Sequence, residues 1–189
     1  MRRRLKLPYF LVLLGTFFAL LILPLLLNAG TPSAKEEIKT TYSKQVFVNT
    51  LAKEVRPIAK AYGIRPSLVI GQALLESHYG QTLLSAKYNN LFARQASVGQ
   101  VFVTLTTDSP KEGKMSFAVY RDREASIRDY LALLSEGKAI DKHLYRILAT
   151  EKGYKVPAKA LEDYLYPEEL GYANKLIRLI ESEQLTKYD

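Results

Sequence analysis

The sequence predicts a mostly helical α+β domain with one small β-hairpin, preceded by a single apolar N-terminal helix. Three observations carry that expectation. Residues 7–27 contain no charged side chain and directly follow the basic cluster Arg2, Arg3, Arg4 and Lys6. Most of the remaining chain shows apolar residues at helical spacing, interrupted by Gly and Pro. One stretch alone changes period: Val101–Thr106 is rich in β-branched residues, turn formers occupy 108–113, and Lys114–Tyr120 follows, which reads as a hairpin.

The uncharged run from Leu7 to Leu27 matches the roughly 20 residues a helix needs to cross the hydrocarbon core of a bilayer. Basic residues on its N-terminal side predict that residues 1–6 stay cytoplasmic and that the rest is exported. A cleaved signal peptide is the competing reading, with Leu27-Asn28-Ala29 as its cleavage site. Signal cores typically span only about 7–15 apolar residues. Residues 28–34 read as a linker and 35–189 as the folded domain. A flexible tether of about eight residues reaches on the order of 15 Å, which predicts work close to the membrane. Gly15 and Pro24 give the helix a surface on which a polytopic membrane protein could dock.

From Lys35 to Tyr62 the apolar spacing predicts one or two amphipathic helices, broken by Gly63. Next comes Pro66 to Gly80, apolar nearly all the way round, with Pro suited to a first helical turn and Gly80 to a stop. A short helix follows Leu83 and runs into a loop by Phe92. Beyond the hairpin, Ala125–Leu134, Lys142–Thr150, Pro157–Tyr164 and Tyr172–Leu185 carry helical patterns.

Composition narrows the chemistry. There is no cysteine, which excludes disulfides, a thiol nucleophile and thiolate metal sites. Of the net charge of +8, four positive charges lie in residues 1–34, leaving about +4 on the exported part. That modest excess suits an anionic cell-wall setting, as on a Gram-positive cell, and lacks the dense basic patch of a nucleic-acid binder. The two histidines, His78 and His143, have no partners at metal-ligand spacing, so no metal and no cofactor is expected.

One side chain in the apolar helix points to catalysis. Glu76 lies one turn before the predicted end, sharing a narrow polar strip with Gln72. An ionised carboxylate is costly to bury, so a Glu there is neutralised, paired or in use. Partial desolvation would let it hold a proton near neutral pH, as a general acid must. Position alone leaves a second reading open, a boundary carboxylate paired with a surface Lys or Arg.

At Leu74-Leu75-Glu76-Ser77-His78-Tyr79-Gly80-Gln81 and Asn89-Asn90-Leu91-Phe92 the sequence resembles the bacterial endo-β-N-acetylglucosaminidases of the autolysin type, glycoside hydrolase family 73-like. Pro66-Ser67, Gln72-Ala73, Phe117–Tyr120, Ser126–Tyr130 and Tyr172–Leu176 support it in order and spacing, from about Phe47 to Ile180. The resemblance implies a lysozyme-like fold with a groove between a helical lobe and a hairpin lobe. It implies cleavage of the GlcNAc-β-1,4-MurNAc bond of peptidoglycan glycan strands, with Glu76 as general acid. A second carboxylate is expected in a Thr-x-Glu pattern on the hairpin, matched by Thr106-Thr107-Asp108. Asp108, Glu112 or the substrate's own acetamido group remains open for that role.

Other implied groove residues are Asn90, Phe92, Tyr79 and Tyr172, with Tyr164 and Tyr166 competing for one tyrosine position. The Gly that commonly follows the Asn-Asn-Leu-Phe stretch is Ala93 here, and a Tyr-x-Thr-Asp signature is absent from Tyr164–Tyr172. Rival readings are a lytic transglycosylase or muramidase on the same fold, or an inactive wall-binding scaffold held at the membrane.

Overall fold

The computed structural model describes residues 7–27, 30–107, 113–136 and 141–189. The chain divides into two units, Met1–Pro32 and Ser33–Asp189. The first unit holds helix α1, Leu7–Leu27, whose described side chains stop at Ile22. Among the described residues no helix is long and apolar enough to cross a membrane. Helix α1 nevertheless runs for 21 residues without a charge.

The second unit is built around α3, Pro66–Ser77, which is buried without interruption from Pro66 to Ala73 and on to Leu74. Helix α2, Lys44–Ala61, packs on one side of it. Helix α8, Tyr172–Ser182, and a closing 3₁₀ turn, Leu185–Tyr188, pack on another. Helices α5 (Arg123–Glu136), α6 (Lys142–Thr150) and α7 (Lys155–Leu165) complete a chain of neighbours leading back to α8. Helix α8 comes close because residue 71 is glycine: a Cβ there would lie 2.8 Å from Leu176 Cδ1. Fully buried Leu68, Val69, Ile70 and Leu74 each contribute roughly 1.5–3 kcal/mol through removal of apolar area from water.

The start of α3 is set by a residue remote from it and its end by the residues that follow it. Arg65 at the N-cap makes no side-chain capping bond. Asp189 supplies the missing acceptor: its carboxylate takes the Ser67 N–H at 2.8 Å and the Ser67 hydroxyl at 3.1 Å. The C-terminal stop comes at His78 rather than Gly80, because His78, Tyr79 and Gly80 are all left-handed, with φ of 47°, 58° and 79°. Only glycine fits at the last of these, since a Cβ would sit 2.3 Å from the Phe47 ring.

The stretch from residue 33 to 42 departs from the expected helix. It is a non-helical strap with a turn at 34–35, closed by Glu36 N–H donating to Ser33 O at 3.1 Å, and helix α2 starts only at Lys44, capped by the Ser43 hydroxyl, which accepts from Val46 N–H at 3.3 Å. Beyond that turn, the strap's backbone bonds to Thr106, Gln81 and Leu83 lie in other segments, so local periodicity does not describe it.

The hairpin pairs β1 (Phe102–Thr106) with β2 (Lys114–Ala118) in an antiparallel register that sets Leu105 opposite Met115 and Val103 opposite Phe117. Those four alternate onto one face and cover a small second core with Ala34, Ile38, Leu83 and Leu84. Leu83 and Leu84 come from α4, Leu83–Tyr88. Both hairpin edges are occupied: Ser33 bridges Thr106 on one side and Gln95 bridges Phe117 on the other.

Asp189→Ala is expected to lower stability by ~1 kcal/mol through loss of the α3 cap, or about 2–4 °C in the melting midpoint. A melt unchanged within error would show the cap to be energetically idle.

Candidate active site

A cavity of about 260 Å³ opens where α3, the strap and the hairpin meet. Glu76 lines it from α3, Ala34 and Lys35 from the strap, and Thr107, Met115 and Phe117 from the hairpin. Asn90 and Ala93 line it from the loop after α4.

Glu76 stands on the last turn of a buried helix, and burial pushes its carboxyl above the usual carboxylate range. Hydrogen bonding from Tyr166 is the largest opposing influence; the Glu169 charge pushes up again, while Tyr172 and the Lys35 charge pull down. Desolvation wins, so the group is biased toward the protonated form.

Tyr166 and Tyr172 stack nearly parallel, with ring centroids 3.7 Å apart and 9° between planes. The Gln72 amide donates to the Tyr130 hydroxyl at 2.7 Å and lies 3.5 Å from the Tyr172 hydroxyl. The polar strip of Gln72 and Glu76 on α3 thus faces three tyrosines gathered from α5, from the residue after α7 and from α8. Burial, first of all, raises all three phenols, so they remain hydrogen-bond donors across the physiological range. Glu162 fixes the start of α8 beside them, accepting from Ala173 N–H at 2.8 Å.

The other expected residues have distinct placements. Asn90 lines the cavity, but its side chain is already engaged. Its amide donates to Arg94 O (2.8 Å) and Ala118 O (2.9 Å), and its oxygen accepts from Arg94 N–H (2.9 Å). It clamps the loop onto β2. Phe92 is buried and stacks on Tyr130 at 4.1 Å, behind the cavity lining.

Tyr79 lies apart from this cavity. Its hydroxyl donates to Glu183 at 2.8 Å, Lys44 sits over its ring, and burial, reinforced by that bond, raises the phenol to about 12. Tyr164 is partly exposed, its ring 6.3 Å from that of His143, whereas Tyr166 reaches Glu76. Asp108 and Glu112 lie outside the described residues. Sequence reasoning missed Lys35, Thr82 and Gln95, which also line the cavity. None carries a local signal, because each reaches the cavity through pairing between distant segments.

With this arrangement in view, comparison with known proteins is informative. Residues 52–185 match the glucosaminidase family, described as mannosyl-glycoprotein endo-beta-N-acetylglucosaminidase. The chain belongs to the glucosaminidase family.

The chain is 32% identical to the exo-glucosaminidase LytG of Bacillus subtilis (strain 168), over 94% of this chain and 67% of LytG. A probable N-acetylmuramidase of Lactococcus lactis subsp. cremoris (strain MG1363) is 30% identical over 87% of this chain, which spans only 39% of that protein. The crystal structure of the catalytic domain of the autolysin Auto from Listeria monocytogenes superposes with a TM-score of 0.69. It is 31% identical and covers 80% of this chain and 91% of the Auto domain. This glucosaminidase-family chain therefore has the mostly helical, lysozyme-like α+β fold with a two-stranded hairpin. It is a glycosidase, a peptidoglycan hydrolase of the glucosaminidase and muramidase kind.

Ala93, at the position where the family resemblance led to an expected Gly, has φ of 48°. The left-handed backbone costs an alanine on the order of 1 kcal/mol relative to glycine. Ala93→Gly is expected to raise the melting midpoint by a degree or more, whereas a lower midpoint would mean that the methyl group's packing outweighs the strain.

Glu76 supplies a second expectation. A carboxyl with a raised folded-state pKa keeps its proton after the unfolded chain has lost it, so stability falls as pH rises through that interval. Glu76→Gln should therefore melt above wild type at about pH 7 and converge with it near pH 4, where both forms are neutral. Parallel melting curves at both pH values would count against desolvation.

Proposed function

We propose that this chain is an endo-acting glucosaminidase that cleaves the GlcNAc-β-1,4-MurNAc bond within peptidoglycan glycan strands, with Glu76 as general acid. The observation that carries this reading is the partly buried Glu76 carboxyl, biased toward its protonated form at the edge of a cavity between the helical and hairpin lobes.

The chemistry follows from the balance at that group. A general acid works best when its proton affinity lies near the working pH. Burial raises Glu76 in that direction, and the Tyr166 and Tyr172 hydroxyls stabilise the carboxylate left once the proton has moved to the glycosidic oxygen. Those donors offset part of the rise that burial imposes. The developing oxocarbenium ion then needs a partner on the opposite sugar face. We assign that role to Asp108 beyond the end of β1, with Glu112 or the substrate acetamido group as alternatives. Thr107, Met115 and Phe117 bring the described part of the hairpin to the same cavity, which supports that assignment.

The same proposal covers the setting. Helix α1 is taken as a single-pass anchor, its N-terminus cytoplasmic and the catalytic unit outside, so that the enzyme trims glycan strands near the membrane. A polytopic protein docking on α1 belongs to that proposal.

The second reading is a muramidase, favoured by the name of the Lactococcus relative. Product ends separate the possibilities. A glucosaminidase leaves reducing GlcNAc, a muramidase leaves reducing MurNAc, and a lytic transglycosylase leaves 1,6-anhydro-MurNAc. Full-length protein in detergent, incubated with intact glycan strands, should give reducing GlcNAc by mass spectrometry, with internal fragments early in the digest. Glu76→Gln should lower kcat by about 10²–10⁴-fold. Equal turnover by the variant would remove Glu76 from the mechanism.

A further inference from the structure

The exposed face of α2 carries a groove that shares no residue with the cavity beside Glu76. It encloses about 680 Å³ between the helix and the closing 3₁₀ turn, with Asn49, Lys53, Arg56, Pro57 and Lys60 on the helix side and Tyr188 on the turn. Helical spacing explains the alignment. Positions 49, 53, 56–57 and 60 recur every three or four residues and form one stripe, which covers about 10 Å of axis from Lys53 to Lys60. Leu51, Val55 and Ile58 of the same helix turn into the core instead.

The polar groups along the stripe are mostly donors. Lys53, Arg56 and Lys60 are exposed, and they are the charged residues among the described lining. The acidic neighbours are committed elsewhere, Glu54 to Arg123 and the Asp189 carboxylate to Ser67 and Arg65. Lys60 Nζ donates to the Asp189 backbone oxygen at 3.1 Å, whereas Lys53 and Arg56 have no ion pair among the described residues. The Asn49 side-chain oxygen accepts from the Tyr188 hydroxyl at 2.9 Å and from the Gln45 amide at 3.1 Å, which leaves its own N–H groups for a ligand.

One acceptor completes the set. Pro57 has no N–H, so the Lys53 carbonyl lacks its helical i+4 donor. Cations, an amide donor, a spare carbonyl and a tyrosine ring therefore share one groove. A bare polyphosphate would use only the donors. A phosphodiester chain that carries hydroxyls uses everything: its phosphate oxygens accept from Lys53, Arg56 and Asn49, a hydroxyl donates to the Lys53 carbonyl, and its C–H surface lies against the Tyr188 ring.

We propose that this groove is a second binding site, for a hydroxyl-bearing phosphodiester polymer of the polyol-phosphate or sugar-phosphate type, which holds the hydrolase on an anionic matrix. The length of the stripe suits a chain better than a single ion, because successive phosphates can each meet a cation. Nothing in the site depends on Glu76.

The test uses the full chain in nonionic detergent with fluorescently labelled poly(glycerol phosphate), read by anisotropy. Wild type should bind, with an affinity that falls as salt rises. Lys53→Gln combined with Arg56→Gln should weaken binding by about tenfold and reduce the slope of log affinity against log salt by roughly one to two. Lys53→Arg should keep most of the affinity. Pro57→Ala returns an N–H to the Lys53 carbonyl; it should weaken poly(glycerol phosphate) by about threefold and leave binding of inorganic polyphosphate, which has no alcohol groups, unchanged. Turnover of isolated glycan strands by the double variant should stay within about twofold of wild type.

No binding by wild type, equal binding by the double variant, or equal losses of both polymers in Pro57→Ala would overturn the proposal. Oligouridine, polyglutamate or glycerophosphoglycerol, the free headgroup of an anionic lipid, binding as tightly at equal charge would overturn it in favour of nucleic acid, peptide or lipid. Thermal melts separate lost recognition from unfolding, and if the double variant melts early the two single variants carry the same comparison. Glu76→Gln should bind the polymer as wild type does. Failure of polymer binding therefore sinks this inference alone, and an active Glu76→Gln sinks only the catalytic reading.

Discussion

A carboxyl group held partly out of water on the last turn of a buried helix is the constraint around which the rest of the unit is arranged. Each unit of pKa displacement corresponds to about 1.4 kcal/mol that the fold must supply. Helix α3 supplies it through Leu68, Val69, Ile70 and Leu74, each worth roughly 1.5–3 kcal/mol of apolar burial. The surplus allows one polar side chain to be kept in a costly place. Two opposing influences then tune it. Desolvation favours the proton, and the Tyr166 and Tyr172 hydroxyls favour the anion.

That tuning depends on where α3 starts and stops. Asp189 caps its beginning, and three left-handed residues end it immediately beyond Glu76. Without that abrupt end the helix would carry on past the cavity instead of turning toward the start of α4. The Thr82 hydroxyl caps α4, accepting from Ser85 N–H, and Thr82 also lines the cavity. The hairpin is held from both edges, by the strap on β1 and by residues 94–96 on β2, so its inner face keeps a fixed register against Ala34, Ile38, Leu83 and Leu84. An edge paired in this way cannot slip without losing its small core.

The family match explains the chemistry of the 52–185 region and leaves the strap outside it. Yet the strap closes one side of the cavity and brings a cation to it. The Asn90 side chain shows a related separation of roles: it faces the cavity, but its three hydrogen bonds hold the loop to β2. Ala93, two residues past the buried Leu91, retains the left-handed turn that this clamp requires.

The sequence by itself determined the order of the helices, the single hairpin, the buried character of α3 and the candidacy of Glu76. All of these are written in local periodicity, and a run of apolar residues at 3.6 or 2 per repeat needs no distant partner to be recognised. Tertiary structure alone decided the rest. It selected Tyr166 over Tyr164 as the neighbour of Glu76, turned Tyr79 to Glu183, made a non-helical strap of residues 35–42 that were expected to be helical, and stopped α3 three residues before the expected glycine. Each of these outcomes rests on hydrogen bonds or packing between segments tens of residues apart. Neighbouring residues in the sequence carry no trace of a partner that only folding brings within 3 Å.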